Sequence, residues 1–213
     1  MSHLRLSICI ATYNRGAFIG ETLDCLLPQL SEEVELLVLD GASPDQTQSV
    51  VEARMAACPF IRYQREPTNS GVDQDYSKAV SAARGEYCWL MTDDDLLRPD
   101  AVARVLAVLD GSIDLVVVNA EVRTIDFGQV LQDRLLDVAA DREYGPGDHV
   151  QFFEQVAAHL KFIGAVVVRR DVWLARQAEP YFGTLFVHVG VIFQSPPLSR
   201  MRVIADPLIV IRY

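Results

Sequence analysis

The feature that most constrains this chain is a change of hydrophobic period that repeats through its first hundred residues. Residues 6–11 and 34–39 are near-continuous apolar runs of strand length, as expected for strands covered on both faces. Each breaks off into polar residues, Thr12-Tyr13-Asn14-Arg15 after the first and Asp40-Gly41-Ala42-Ser43 after the second. Residues 18–27 and 45–55 carry helix-compatible spacing, with Ser43-Pro44 as a start signal for the second helix. A weaker strand spans 60–65. Val72, Tyr76, Ala79, Val80 and Ala83 then recur at helical intervals up to a capping Gly85, and residues 86–92 form a fourth strand that runs into Asp93-Asp94-Asp95. Strands alternating with helices in this way imply an α/β fold with a mostly parallel central sheet and crossover helices on its faces.

The second half is less regular. Pro99 opens a helix whose Val102, Val105, Leu106 and Leu109 share one face before Gly111. Residues 114–119 read as a strand, 148–160 as a helix, 162–169 as a strand and 171–177 as another helix, with Gly145-Pro146-Gly147 as a loop. The last apolar run, 208–211, puts the chain's end at or inside a strand, as truncation of a longer chain would leave it. A chain of 213 residues without repeats or linker composition is expected to be a single domain spanning 1–213.

Charge narrows the partners. The chain has 19 basic and 29 acidic residues, a formal net charge of -10, whereas nucleic-acid binders usually carry the opposite imbalance. Nucleic acid is therefore not an expected partner. Residues 1–100 hold 16 of the acids against 8 basic side chains, so the excess lies in the first half. Cys9, Cys25, Cys58 and Cys88 are widely spaced with no C-x-x-C, which suits small core hydrophobes in a reducing compartment. The opening apolar run is too short to span a bilayer or form a signal peptide, and the chain is expected to be cytoplasmic.

In open α/β sheets, ligands bind beyond the carboxyl ends of the strands. The clusters at 12–15, 40–43 and 93–95 all follow apolar runs directly, so a parallel arrangement brings them to one crevice. Consecutive carboxylates there repel one another and any phosphate. They are useful when a hard divalent cation, Mg²⁺ or Mn²⁺, bridges them to substrate phosphate oxygens. A solvated turn is the plainer alternative for such a triplet.

From residue 6 to about Pro99 the chain resembles the family 2 glycosyltransferases with the GT-A (Rossmann-like) fold. Ser7-Ile8-Cys9-Ile10-Ala11-Thr12-Tyr13-Asn14-Arg15 is similar to that family's nucleotide-binding strand and loop. Val38-Leu39-Asp40-Gly41-Ala42-Ser43 is similar to its second motif, which implies a base contact for Asp40, although Leu39 stands where a second aspartate is frequent. Asn69-Ser70-Gly71, Gly85-Glu86-Tyr87 and the Asp triplet resemble the third block, which ends at the metal-binding D-x-D region. Alignment on Leu96-Leu97-Arg98-Pro99 places Thr92 at the first family aspartate and Asp94 at the metal-binding one. Asp94 is thus the first choice of ligand and Asp93 a ribose or metal contact. Asp95 either acts through water or caps the following turn.

The resemblance implies a nucleotide-sugar-binding half over 1–100 and an acceptor-side half over 101–213. Departures matter. Asp75-Tyr76-Ser77 replaces the usual Ala-Arg-Asn, removing the basic contact to the donor diphosphate, for which Lys78 is the nearest substitute. The stretch from Gly71 to Tyr76 looks like the abequosyltransferase-like branch of bacterial polysaccharide synthesis. Asp73 either touches the donor or is a helix N-terminal acid favoured by the dipole. The Glu-Asp pair that many inverting members use as base is absent, and Phe186-Val187-His188-Val189-Gly190 offers only His188. His188 is read either as base or extra ligand, or as a satisfied core histidine. Phe152, Phe153, Trp173, Tyr181 and Phe182 are either an acceptor pocket or ordinary core.

The resulting expectation is metal-dependent transfer of a sugar from a nucleotide-diphosphate donor to a hydroxyl on a glycan or lipid-linked acceptor, the latter implying peripheral contact with the inner membrane face. Thr12, Tyr13, Asn14, Arg15, Asp40 and Gly41 would hold the nucleoside. Asp93 and Asp94 would hold ribose and metal. Two rivals stand beside it. A sugar-phosphate nucleotidyltransferase wants a Gly-rich loop after strand one, which Ala11-Thr12-Tyr13-Asn14 lacks. A non-catalytic nucleotide-sugar-binding module would explain the missing Arg and Glu-Asp pair.

Overall fold

The structure is a computed structural model that describes residues 3–213. In chain order its elements are β1 (Leu6–Thr12), α1 (Ile19–Leu26), β2 (Val34–Asp40), α2 (Thr47–Met55), β3 (Ile61–Arg65), α3 (Val72–Ala82), β4 (Tyr87–Met91), β5 (Leu96–Leu97), α4 (Ala101–Val108), β6 (Leu115–Arg123), β7 (Val130–Gln132), β8 (Arg142–Tyr144), α5 (His149–Val156), β9 (Val166–Arg169), α6 (Arg170–Leu174), α7 (Val187–Ile192) and β10 (Met201–Arg212).

One ten-stranded sheet organises them, in the order β3-β2-β1-β4-β9-β6-β10-β5, with β7 on β6 and β8 on β10. β3, β2, β1 and β4 are parallel, whereas β9 runs antiparallel between β4 and β6. Every residue of β1, β2 and β4 is buried, because helices or loops cover both faces, which is why these strands read as continuous apolar runs. The pleat divides them between two cores. Ile8 and Ile10 face a core with Ile19, Leu23 and Val105, while Cys9 and Ala11 face one with Tyr76, Val80 and Phe152.

The connectivity creates the crevice. From β1 the chain moves outward through β2 to β3, then returns to lay β4 on the other side of β1. At that reversal the loops after β1 and β4 diverge, leaving a gap at their carboxyl ends.

Several elements differ from the sequence expectation. The strand expected over 162–169 is confined to Val166–Arg169, because Ile163–Ala165 winds into a 3₁₀ turn whose Gly164 carbonyl accepts the Trp89 indole N–H at 2.8 Å. The helix expected to reach 160 ends at Val156, and His159–Lys161 forms a separate 3₁₀ turn. The final strand is twelve residues long rather than the apolar run alone, since Pro207 sits at a bulge where the register on β6 shifts.

Candidate active site

At the reversal point lies a cleft of about 370 Å³. Thr12, Tyr13 and Arg15 line it from the loop after β1, Thr92, Asp93 and Asp94 from the loop after β4, and Asn69, Val72, Asp75 and Tyr76 from α3 and the turn before it. Residues from three separate sequence blocks therefore meet, as the parallel arrangement requires.

The loop after β1 is fixed by the loop after β2. Asn14 takes a left-handed conformation, φ 57°. Three successive amides then donate across the gap: Asn14 to Ser43 Oγ at 2.9 Å, Arg15 to Thr47 Oγ1 at 3.0 Å and Gly16 to Asp45 Oδ2 at 2.9 Å. These N–H groups are spent on structure, so phosphate recognition falls to side chains. Tyr13, next to this turn, lines the cleft and stays 45% exposed.

At the base of the cleft Asp93 is buried and accepts from Thr12 Oγ1 at 2.7 Å and from Arg15 Nε at 3.1 Å. Burial pushes its carboxyl above the ordinary range, against the pull of Thr12 and Arg15. Arg15 Nη2 also donates to Asp94 Oδ2. The Asp94 side chain is 25% exposed and faces the cleft.

Asp95 turns the other way. Its oxygens accept from Thr92 Oγ1 at 2.5 Å and from the Arg212 amide at 2.8 Å, and burial, reinforced by the neighbouring Asp94 and Asp93 charges, pushes it up to about 6. It ties the acidic loop to the end of β10 and does not line the cleft. Arg212 completes that tie: Nε donates to the Asp94 carbonyl at 2.9 Å, Nη1 to the Ile125 carbonyl at 2.8 Å and Nη2 to Glu21 at 2.5 Å, while the guanidinium stacks on Phe127.

Other candidates also lie outside the cleft lining. Asp40 is fully buried, accepting from the Ser43 amide at 2.7 Å and Tyr63 OH at 2.5 Å. Gly41 permits a close approach, since a Cβ there would stand 2.6 Å from Asp75 Oδ2. Lys78 is held at 2.7 Å by Glu66 and 2.8 Å by Ser70. Asp73 accepts three backbone N–H groups, from Gly183 at 2.8 Å, Leu185 at 2.9 Å and Val187 at 3.2 Å, and so fixes the turn before α7. His188, in α7, is wholly buried; its Nε2 donates to the Leu160 carbonyl at 2.7 Å, and burial pushes its pKa below the ordinary value. Phe152 and Trp173 are core residues, whereas Phe153 is half-exposed against Phe193.

Sequence reasoning passed over Asp75 and Arg212 as site residues. Asp75 accepts from Ser70 Oγ at 2.7 Å, and burial raises its pKa. Its signal lay in the motif where Asp75-Tyr76-Ser77 replaces Ala-Arg-Asn, which puts an acid next to the position of the missing base, whereas Arg212 had none, being 117 residues from Asp95 in the chain.

The donor set admits a hard cation of one kind. Among the described residues no group of three His, Cys, Asp or Glu side chains converges, so an all-protein cage is absent. Mg²⁺ and Mn²⁺ sites that use one or two carboxylates and complete their shell with water and phosphate oxygens do not need one. Asp94, open to the cleft beside Asp93, fits that mode.

The sheet order and the crevice define a GT-A type α/β fold. TarS from S. aureus in complex with UDP superposes with a TM-score of 0.75 at 18% identity, covering 98% of this chain and 60% of that one. A mannosyltransferase from Pyrobaculum calidifontis, in complex with GDP-Man and Mn²⁺, gives 0.66 at 17% identity, covering 100% of this chain and 57% of that one. Residues 7–173 match the family described as Glycosyl transferase family 2, and the chain belongs to that family. It is similar to the abequosyltransferase of Salmonella typhimurium, 25% identical over 220 residues that cover 97% of this chain and 66% of the relative. The chain thus spans less than two thirds of the length of these matched proteins, reaching 66%, 60% and 57% of them.

Proposed function

We propose that this chain transfers a glycosyl group from a nucleotide-diphosphate donor to a hydroxyl acceptor, with Mg²⁺ or Mn²⁺ held at Asp94 and Asp93. The observation that carries the reading is the Thr12–Asp93–Arg15–Asp94 cluster at the base of a cleft at the sheet's reversal point. The solved relatives support it, TarS being in complex with UDP and the mannosyltransferase with GDP-Man and Mn²⁺.

In this reading the residues before 100 bind the donor and the later ones face the acceptor. The Tyr13 face receives the base at the mouth, and the buried Asp40 keeps the loop after β2 in shape behind it. Asp93, oriented by Thr12, and Asp94 present carboxylate oxygens to the cation. When bound, the cation neutralises the charge that develops on the departing diphosphate. The Asp95–Arg212 tie holds the acidic loop from behind, so Asp94 faces the cleft without paying for its ordering at each turnover. The acceptor is a hydroxyl of a glycan or lipid-linked intermediate, a reading supported by the abequosyltransferase relative. Cytoplasmic work at the inner membrane face accords with it. Among the described residues no helix is long and apolar enough to cross a membrane.

The test is calorimetric. A panel of UDP, CDP, GDP and dTDP, each with and without Mn²⁺, is expected to give one metal-dependent binder, and Asp94→Ala to abolish the metal-dependent part. Unchanged binding in that variant overturns the metal site. Slow Mn²⁺-dependent release of free sugar from the matching donor separates an enzyme from a binding module, which gives none.

A further inference from the structure

We propose that Arg15 is the exchangeable counter-cation of the Asp93–Asp94 pair: it neutralises both carboxylates in the free protein and, when a divalent cation arrives with a diphosphate, releases them and turns its guanidinium onto the phosphate. This rests on the reading of the cleft given above.

The geometry separates what can move from what cannot. The Arg15 amide is bound to Thr47, and its carbonyl accepts from the Phe18 and Ile19 amides at 2.9 and 3.0 Å at the start of α1. The backbone is therefore clamped on both sides, and any rearrangement falls to the side chain, which is 38% exposed and lies over the Phe18 ring at 5.2 Å. From there the guanidinium reaches two different carboxylates with two different nitrogens. A divalent cation on those carboxylates and a guanidinium on the same oxygens repel each other, so the two occupy the pair alternately.

Charge explains why the displaced side chain stays in the cleft. Among the described residues that line it, Arg15 is the one cation, facing Asp75, Asp93 and Asp94. The neighbouring cations are committed elsewhere, Lys78 to Glu66 and Ser70, and Arg212 to Glu21 and two carbonyls. A diphosphate entering this acidic wall needs a protein cation beside the metal. A freed guanidinium supplies a planar fork matched to phosphate oxygens. The exchange moves one positive charge from carboxylate to phosphate while the divalent cation takes its former place.

The experiment measures two affinities on wild type, Arg15→Met and Arg15→Lys, each first checked for cooperative thermal unfolding. Mn²⁺ alone is titrated by electron paramagnetic resonance of the free ion. Inorganic pyrophosphate is titrated by calorimetry in saturating Mn²⁺. Removing the competitor is expected to tighten Mn²⁺ binding about ten-fold in Arg15→Met, while pyrophosphate binding weakens about ten-fold. Arg15→Lys keeps a charge without the fork and is expected to fall between on both axes, so it carries the test if the Met variant fails to unfold cooperatively. Mn²⁺ affinity equal to or below wild type in the substituted protein overturns the exchange, as does unchanged pyrophosphate affinity. If wild type binds no Mn²⁺ even with each of UDP, CDP, GDP and dTDP, the metal reading itself falls and the exchange with it. Metal-dependent nucleotide binding in wild type with an indifferent Arg15 sinks the exchange alone.

Discussion

Replacing Asp73 distinguishes a donor contact from a structural clamp, because the structure gives the two roles different readouts. Its Oδ2 accepts the Gly183 and Leu185 amides and its Oδ1 the Val187 amide, joining the first turn of α3 to a segment 110 or more residues away. Asp73→Ala leaves one buried and two partly buried N–H groups without partners. At about 2 kcal/mol for the buried donor and about 1 kcal/mol for each of the others, the loss is about 4 kcal/mol, a large share of the 5–15 kcal/mol that stabilises an ordinary domain. Asp73→Asn keeps one acceptor oxygen, which can still serve Gly183 and Leu185 while its amide nitrogen faces the Val187 N–H. About 2 kcal/mol of the loss is then expected. Leu185 has φ 68°, a conformation a leucine leaves readily once its amide bond is gone, so the turn before α7 is expected to loosen first. Urea denaturation at constant pH measures the stability, and amide hydrogen exchange at 183, 185 and 187 localises it. A loss below about 1 kcal/mol for the alanine variant refutes the clamp. Weaker nucleotide binding with unchanged stability assigns Asp73 to the donor instead.

Two further perturbations probe the frame around the cleft. Arg212→Ala removes three hydrogen bonds and two ring contacts, to Phe18 and Phe127, from a side chain that is mostly buried, and is expected to cost about 3 kcal/mol in urea denaturation and to weaken Mn²⁺-dependent nucleotide binding through the Asp94 backbone; stability within 1 kcal/mol of wild type contradicts this. Burial lowers the pKa of both His159 and His188, so their contribution to stability is complete above the unfolded value of about 6.5 and is lost as pH falls below it. Asp95, pushed up to about 6, works in the opposite direction over the same range. The comparison is therefore between wild type and the His159→Gln, His188→Gln double variant: wild type is expected to lose more stability between pH 7 and pH 5.5, and equal losses refute it.

How far the chain could be read in advance depends on where each residue's partners lie. β1, β2 and β4 were legible because both faces of each are buried, so their burial is written as near-continuous apolar runs, interrupted by Ser7 and Glu35, with polar residues at one end. Their shared direction then brings Thr12, Asp93 and Asp94 together without further information. β10 was legible only from 208 on, because Asp206 and Pro207 interrupt a strand that continues through a bulge. The region around His188 has no alternation or period long enough to declare the six-residue helix it forms. His188 itself carried two readings, and the structure places it wholly buried and outside the cleft lining, with Nε2 on the Leu160 carbonyl.

Three identical residues in a row show where local reading stops. Asp93, Asp94 and Asp95 have the same chemistry and the same strand before them, yet they face different partners. Asp93 is oriented by Thr12 across the switch point, Asp95 is taken by Thr92 and the Arg212 amide, and Asp94 keeps its side chain in the cleft while its carbonyl is held by Arg212. Direction along the strand cannot separate these roles, because the chain leaves the sheet after Met91 and the alternation of faces ends there. What separates them is β10, whose last residues return from the far end of the chain to cover one side of the loop. Asp95, turned toward that strand, loses access to solvent and to any ligand, and Asp94, turned away from it, retains both. The acidic loop keeps two of its three carboxylates, Asp93 and Asp94, in the cleft lining because the end of β10 occupies its other side and takes the third.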